Sequence, residues 1–191
     1  MSRAPSTLVG LATDVSSDPI VAWRAWTLTG PRDGSAVLLR PVATRARTWK
    51  PRETVEASCR ASPWHDAPDP SCTCGLHGTH GLEILRKTRC PAVLGRVALW
   101  GRVVEHEHGY RAQFAYPQRL RLICQFCFWM SGPRKTSPEL VGWFARDQLV
   151  PMCDEHLAVA ARNGVFPRHL LPAAGVAQRL LDTYAVDALA V

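Results

Sequence analysis

Alternation of apolar and polar residues marks two stretches of the chain as paired β-strands. In the first stretch, residues 20–28 (IVAWRAWTL) alternate, the turn cluster TGPRDGS follows, and residues 36–40 (AVLLR) return. In the second stretch, VLGRVALWGRVVEH and YRAQFAY flank Gly109 within residues 93–116. A period of two is typical of a strand with one face on a core. The pattern therefore predicts two antiparallel hairpins, and the apolar face of the second consists of Val93, Val97, Leu99 and Val103.

Helical signals are confined to the last third of the chain. The segment that begins at Asp154 has acidic residues in its first turn and Asn163-Gly164 at its end, as helix start and stop signals require. A final helix is predicted over residues 173–191 because apolar residues recur there at helical spacing. These residues are Val176, Leu180, Leu181 and Tyr184.

These elements predict an α+β protein in three parts. Residues 1–19 hold Ser, Thr, Pro and Asp without periodicity and are predicted to form a flexible tail. Residues 20–120 are predicted to form an antiparallel β module with a Cys/His-rich loop at 59–91. Residues 121–191 are predicted to form a treble-clef-like zinc module followed by C-terminal helices.

Four residues of the second half have the spacing of a structural zinc site: Cys124, Cys127, Cys153 and His156. A C-x2-C turn directs two thiolates at one ion, and residues three apart at a helix start lie on one helical face. A first pair, an intervening hairpin and a second pair at a helix start resemble the treble-clef zinc finger in spacing. Four protein ligands leave no open coordination position, so the predicted Zn²⁺ is structural. Buried free cysteines with a capping histidine are the alternative.

The central loop offers a second set of ligands, which comprises Cys59, His65, Cys72 and Cys74. Residues 59–81 are rich in Pro and Gly and bury little apolar surface, so a bound metal would supply folding energy directly. C-x-C is a less usual spacing than C-x2-C, and a loop with exposed, oxidisable thiols is the alternative. The sequence therefore predicts one Zn²⁺ and allows a second.

Composition restricts the cellular setting. No stretch approaches the ~20 apolar residues of a membrane span, and the N-terminal residues lack the pattern of a signal peptide. Seven cysteines are an odd number, which argues against a closed disulfide framework and favours reduced thiols or metal ligands. We therefore expect a cytoplasmic protein with no membrane partner.

The net charge of +7 is unevenly distributed along the chain. Residues 1–39 carry three basic and three acidic side chains, and residues 122–191 carry six of each. Residues 40–121 carry fourteen basic and seven acidic side chains, which is the whole surplus. A basic middle segment favours a polyanionic partner, most often nucleic acid. A solubilising surface is the alternative.

Basic and aromatic residues interleave in the segment RARTWKPR at residues 45–52 and recur in the second hairpin. On an extended strand, guanidinium groups on one face pair with phosphates, and an indole on the same face stacks on bases. A solvated strand face with a packed tryptophan is the alternative. The candidate nucleic-acid contacts are Arg45, Arg47, Trp49, Lys50, Arg52, Arg96, Arg102 and Arg111.

These features predict a non-catalytic, zinc-stabilised protein that binds nucleic acid through its basic middle segment. A protein-interaction adaptor is the alternative, with Trp129 and Trp143 beside the first zinc site as its contacts. A metal-dependent enzyme would use the Glu105-His106-Glu107-His108 hairpin tip. The H-E-x-x-H, G-x-S-x-G and phosphate-binding glycine motifs do not occur in the sequence.

Several strings within residues 20–120 carry a family resemblance: WKP, ASC, HDAP and CTCG, followed by LGRVALWGRVVEHEHGYRAQFAYP. They resemble an uncharacterised family of proteins from bacteria, especially actinobacteria, and from their phages, for which no activity is known. The resemblance implies that the ligands Cys59, His65, Cys72 and Cys74 form one module with the second hairpin. The chain departs from the family pattern at Leu76-His77-Gly78, where an aromatic and a small residue are expected, but this change does not touch the ligands.

Overall fold

The computed structural model of the chain describes residues 13–42, 47–131 and 137–190. Antiparallel strands dominate, with a few short helices, which confirms the predicted α+β class. The strands are β1 (Thr13–Thr29), β2 (Leu38–Pro41), β3 (Val55–Glu56), β4 (Leu76–Thr79), β5 (Val93–His106), β6 (Gly109–Leu122), β7 (Leu140–Trp143), β8 (Gln148–Met152), β9 (His169–Pro172) and β10 (Asp187–Ala188). The helices are α1 (Gln125–Ser131), α2 (Asp154–Arg162) and α3 (Ala173–Tyr184), and the 3₁₀ turns are Glu83–Lys87 and Ala145–Asp147.

Four strands pair in a ring at the centre of the sheet. The long strand β5 pairs with β1 on one side and with β6 on the other. The short strand β4 pairs with β6 along its length and meets β1 at Trp23–Thr79. Register shifts between Ser16 and Ile20 of β1 mark a bulge, which bends a strand as closure of a small barrel requires.

Both predicted hairpins are present, with one difference in length. Strand β1 pairs with β2 at the end predicted from sequence, but β1 begins at Thr13 rather than at residue 20. Residues 13–19 of the predicted tail therefore belong to β1, and residues 1–12 lie outside the described residues. In the β5–β6 hairpin the predicted apolar face is buried. Gly109 has φ +155°, and a Cβ there would lie 2.0 Å from the Gly78 carbonyl oxygen, so the turn requires glycine.

The C-terminal elements continue the same sheet. Strands β7 and β8 form a hairpin between the two predicted ligand pairs, and β8 pairs with β1 where Leu149 faces Leu28. The predicted α2 is confirmed, but α3 ends at Tyr184, so the predicted helix over 173–191 is too long. Ala185 adopts a left-handed conformation (φ 51°), and β10 then pairs in parallel with β6. Strand pairing with a distant segment thus outweighs local helical periodicity.

The central segment 59–91 is more ordered than the loop predicted from its composition. It contains β4 and the 3₁₀ turn Glu83–Lys87. Gly78 of β4 lies inside the barrel, where an added Cβ would come within 2.6 Å of the Ala22 side chain. The glycines that suggested a loop therefore allow close packing of a strand.

One hydrophobic core contains residues from both sides of the predicted boundary at residue 120, which itself falls inside β6. Trp26 and Leu99 from the β module lie in the same cluster as Val141 and Leu180 from the C-terminal part. In the part of the chain that the structure describes, no helix is long and apolar enough to cross a membrane.

A buried tyrosine hydroxyl ties α3 to the edge of the sheet. The Tyr184 side chain is fully buried, and its hydroxyl donates to the Trp49 carbonyl at 2.6 Å. The same hydroxyl accepts a hydrogen bond from the backbone N–H of Leu39 at 2.9 Å. Burial, only partly offset by that N–H, raises the pKa of Tyr184 to about 12. The neutral phenol is therefore the form that the fold requires.

We predict that Tyr184→Phe lowers the free energy of unfolding by about 1–3 kcal/mol at neutral pH, because it leaves a buried N–H and a buried carbonyl without their partner. Above the tyrosine pKa of the unfolded chain, that chain releases a proton that the folded state retains, so the wild type loses stability as pH rises toward 12. The difference between wild type and variant should therefore narrow in this range. Urea unfolding at several pH values tests this, and a constant difference would contradict it.

Candidate metal centres

The first predicted ligand set is assembled by four structural elements. Cys124 follows β6, and Cys127 lies in the first turn of α1. Cys153 follows β8 and precedes α2, and His156 lies in the first turn of that helix. Each pair of ligands thus lies where a strand ends and a helix begins. The two pairs are about thirty positions apart in sequence, and the fold brings them together.

The ligand atoms of this cluster have the spacing of a tetrahedral ion site, and all lie within 4.8 Å of one another. The Sγ atoms of Cys127 and Cys153 are 3.7 Å apart. His156 Nδ1 is 3.0, 3.3 and 3.6 Å from the Sγ atoms of Cys153, Cys127 and Cys124. Zn–S bonds of about 2.3 Å and a Zn–N bond of about 2.0 Å would separate tetrahedral ligands by about 3.5–3.8 Å. Donor set and geometry therefore fit Zn²⁺.

Burial disfavours thiolates in this cluster unless a cation is bound among them. All four side chains are buried, with at most 8% of any residue exposed. Desolvation raises the pKa of the Cys153 thiol to about 12, and repulsion from the neighbouring thiols adds to this effect. Without a cation, three thiolates would not form together here, whereas a divalent ion at their centre stabilises all three. The Phe126 ring stacks on the His156 imidazole at 5.3 Å and shields the site from water.

The second predicted ligand set also converges. The ligand atoms of Cys59, His65, Cys72 and Cys74 lie within 4.8 Å of one another. The Sγ atoms of Cys59 and Cys72 are 3.8 Å apart, and His65 Nε2 is 3.4 Å from Cys74 Sγ. These distances match the same tetrahedral spacing. The cluster is half-buried, in contrast to the first one.

Backbone hydrogen bonds favour a thiolate in the second cluster. Partial desolvation of Cys59 opposes ionisation, but hydrogen bonds from the backbone of Ser62 and Ala61 outweigh it. Together with the nearby His65, these contacts lower the pKa of the Cys59 thiol to about 7. A thiolate at neutral pH is the form that binds a metal. Both ligand sets predicted from sequence are thus suited to Zn²⁺, and the chain offers up to two sites.

Arg111 of β6 supports the loop that carries the second cluster through hydrogen bonds. This role was not predicted from sequence. The residue is only 7% exposed. Its guanidinium group donates to the carbonyl oxygens of Asp69 and Cys74, each at 3.1 Å, and to that of Cys72. A cation beside a Cys₃His zinc centre, whose net charge is negative, is electrostatically favourable. The one signal in the sequence was a charged residue between the strand residues Tyr110 and Ala112, which does not identify its partners.

Two predicted nucleic-acid contacts, Trp49 and Arg111, have buried side chains. Trp49 is 2% exposed and packs edge-on against Trp26, with ring centroids 5.4 Å apart. The guanidinium group of Arg24 covers the Trp49 ring at 4.9 Å. Arg111 is buried beneath the second cluster, as described above. Neither Trp49 nor Arg111 is therefore available to a base or a phosphate.

Two further candidates on β5 make contacts within the fold. The guanidinium group of Arg96 lies 4.6 Å from the Trp23 ring centroid and donates to a backbone carbonyl of β1. Arg102 donates to the carbonyl oxygen of Asp66 at 3.4 Å and lies 3.9 Å from its carboxylate. Both residues are half-buried, and these contacts join Arg96 to the sheet and Arg102 to the metal loop.

The candidates between residues 45 and 52 lie at the edge of the sheet. Arg45 lies outside the described residues. Arg47 and Arg52 are exposed, and Arg52 is 3.4 Å from a carbonyl of α3. Lys50 forms an exposed ion pair with Glu53 at 3.0 Å. Among the described residues of this group, Arg47, Lys50 and Arg52 are thus all exposed to solvent.

The Glu/His hairpin tip does not assemble a metal site. His80 Nε2 is 3.7 Å from a carboxylate oxygen of Glu105 and 3.1 Å from the carbonyl oxygen of His106. Desolvation and the nearby Arg111 lower the pKa of His106. Among the described residues, the groups whose ligand atoms lie close enough for one ion are the two Cys/His clusters.

Comparison with known proteins returns no match to any family model, curated protein or solved structure. The resemblance to a bacterial and phage family therefore stays a prediction, and the function must be argued from the sites themselves.

We predict two zinc ions per chain in protein purified without chelator. Cys127→Ser should remove one ion, lower the melting temperature and make the C-terminal third sensitive to protease, because α1 and α2 lose their common anchor. Cys72→Ser should remove the other ion and affect mainly the central loop. Elemental analysis and limited proteolysis measure both effects. Cys90→Ser is the control, since Cys90 lies outside both clusters and should retain two ions. Unchanged zinc content in Cys127→Ser would contradict the assignment.

We predict that Arg111→Met weakens zinc binding at the second cluster and leaves the first unchanged. The variant leaves three loop carbonyls without their donor and removes the positive charge beside the centre. Chelator competition should show one zinc ion released at least tenfold faster and one at the wild-type rate. Arg119→Met, an exposed position on the same strand, is the control. Equal acceleration at both sites would indicate general destabilisation instead.

Proposed function

We propose that this chain is a non-catalytic, zinc-stabilised protein that binds nucleic acid through its positively charged surface. Each metal cluster offers four protein ligands, which suits a structural ion and leaves no position for a reacting water. For the first cluster we propose a treble-clef-type centre, since its ligand pairs flank the β7–β8 hairpin and the second pair begins α2. The metals thus build a surface rather than a reaction centre.

The unneutralised positive charge of residues 40–121 is the observation that carries this proposal. The ion pairs of Lys50 with Glu53 and of Arg102 with Asp66 use acidic residues that the charge count of this segment already includes, so its surplus is unchanged. Many of the remaining cations are exposed, and they project from a sheet and turns that hold them in place. Exposed cations of this kind attract phosphates and release condensed counterions when they bind. They are Arg40, Arg47, Arg52, Arg86, Lys87, Arg89 and Arg119.

A protein-interaction adaptor is a second candidate, favoured by an apolar cavity of about 430 Å³ beside the first cluster. Phe126, Phe144 and Val159 are among its lining residues. The two tryptophans predicted as adaptor contacts each make a hydrogen bond within the fold, and Trp129 remains 37% exposed. The indole N–H of Trp129 donates to the Thr88 carbonyl at 3.1 Å, and that of Trp143 donates to the Gly30 carbonyl at 3.1 Å.

We predict that the protein binds a fluorescein-labelled single-stranded oligonucleotide with an affinity that falls steeply as salt rises. A plot of log K against log salt should be linear, with a slope of about −0.7 for each phosphate neutralised. The Arg45→Gln/Arg47→Gln variant should lower the magnitude of this slope by roughly 1–2 and weaken binding for all sequences alike. Fluorescence anisotropy between about 50 and 300 mM NaCl measures both effects.

The control for this experiment is Arg162→Gln, an exposed arginine at the end of α2 in the neutral C-terminal part. This variant should bind as the wild type does. Absence of binding at the lowest salt, or binding that does not depend on salt, would reject the nucleic-acid proposal. The adaptor would then be the remaining candidate, because apolar docking does not depend on the charge attraction that salt screens.

A further inference from the structure

Three arginines from separate segments line one cavity of about 440 Å³ at the end of β1. Arg40 comes from β2, Arg89 from the segment that precedes β5, and Arg146 from the 3₁₀ turn between β7 and β8. Among the described residues that line this cavity, none is acidic. We refer to it as the arginine cavity. One of its cations comes from the part of the chain that is neutral overall, so net charge along the sequence does not reveal it.

The floor of the arginine cavity is the polar face of β1. Thr27 faces Arg40 and Thr29 faces Gln148 across the strand pairs, while Leu28 between them points into the core. Both threonine hydroxyls donate to backbone carbonyls, those of Arg40 and Asp147, at 3.1 and 2.9 Å. The floor is therefore polar and held by hydrogen bonds, so it suits a hydrophilic ligand.

The three guanidinium groups make no hydrogen bond or ion pair with another described residue. All three residues are exposed, unlike the arginines that stack on tryptophan or support the metal loop. Like charges that line one cavity repel each other, and an anion bound among them removes that cost. Guanidinium groups match the geometry of phosphate oxygens and form short, charge-assisted hydrogen bonds with them.

Strained backbone is concentrated around the arginine cavity. Arg146 and Asp147 have φ values of 61° and 56°, and Cys90 has φ 49°. Each left-handed residue other than glycine costs about 1–2 kcal/mol, and such residues persist where surrounding contacts hold them, often at functional sites. Here the Asp147 carbonyl accepts hydrogen bonds from the backbone N–H of Gly30 and from a threonine hydroxyl of β1. The turn is thus fixed in the conformation that places Arg146 at the cavity.

The first metal cluster positions two of the three arginines. On one side, the Trp129 indole of α1 holds the Thr88 carbonyl, and Ile123, next to Cys124, donates to the Ala92 carbonyl. The segment that carries Arg89 lies between these anchors. On the other side, β8 runs from the turn of Arg146 directly to Cys153. Loss of the ion would therefore loosen both walls of the cavity.

We propose that the arginine cavity binds a phosphate group of a nucleic-acid backbone. This inference rests on the proposed function and assigns it a site. A neighbouring cavity is lined by the cations Arg47, Lys50 and Arg60 together with Glu53 and Glu56, and Pro41 lines both cavities, so further cations lie beside the three arginines. A polymer with regularly spaced phosphates uses such a continuous surface, whereas a single small anion does not.

The first test compares two charge-matched variants of the full chain, Arg89→Gln/Arg146→Gln and Arg162→Gln/Arg168→Gln, for binding to the same labelled oligonucleotide. All four positions are exposed, and each variant removes two charges. The cavity variant should bind at least tenfold more weakly with a shallower salt dependence, and the control should stay within about twofold of wild type. Zinc content and melting temperature confirm that both variants are folded. Equal affinity of the two variants, with salt-dependent binding by the wild type, would overturn the cavity while the proposed function stands.

The second test observes the arginine side chains directly. Titration of ¹⁵N-labelled protein with the oligonucleotide should shift the Nε–Hε signals that are missing in the cavity variant. Inorganic phosphate, as the free anion, should shift them only at much higher concentration. Shifts with phosphate in a protein that binds no oligonucleotide would overturn both the inference and the proposed function. No shift with either probe would overturn only the assignment of the phosphate site to the cavity.

A comparison of oligonucleotides with and without a 5′-phosphate identifies which phosphate binds. Tighter binding of the 5′-phosphorylated oligonucleotide would identify a terminal phosphate, and equal affinity would identify an internal one; both support the site.

Discussion

The coordination of one ion by three buried sulfurs and a buried imidazole is the interaction on which the C-terminal half depends. Three of the elements that adjoin the ligands are short, since α1 has seven residues, β8 has five and α2 has nine. Helices of this length are marginal in isolation. The ion joins α1, β8 and α2 at one point, and the thiolates that hold it would be costly in this buried site without it. Trp129 lies on α1, and β8 joins the 3₁₀ turn of Arg146 to Cys153, so both adjoin this junction.

The two metal centres differ in burial and in the elements that they stabilise. The first is buried and joins distant elements that also contribute to the common core. The second lies half-exposed in a segment rich in proline and glycine, which buries too little apolar surface to order itself. There the ion works together with Arg111, whose guanidinium group reaches three loop carbonyls from β6. The metal and the hydrogen bonds from Arg111 thus both hold the loop, which continues into strand β4 of the barrel.

Arginine serves three separate purposes in this molecule. Arg24 and Arg96 stack on tryptophan rings and stabilise the sheet. Arg111 supports the second metal loop. The arginines of the cavity at the end of β1 have no partner among the described residues and line a polar floor. A count of positive charge does not distinguish these three groups, although the first two are engaged within the fold and the third is available to an anion. The nucleic-acid proposal rests on the positive charge of residues 40–121, and the site proposed for it depends on which arginines the fold leaves unpaired.

Local signals in the sequence determined the parts that depend on residues close together in the chain. The C-x2-C and C-x2-H spacings predicted the first ligand set, alternation predicted the β5–β6 hairpin, and the Asn163-Gly164 pair marked the end of α2. The burial of Trp49, the parallel pairing of β10 with β6 and the convergence of the arginines were decided only by the tertiary structure. Each of these requires contacts between segments tens of residues apart, and local periodicity does not predict such contacts. Ligand spacing was readable from sequence because a metal restricts the geometry of its nearest ligands, whereas the surface of a closed sheet depends on how every strand is placed.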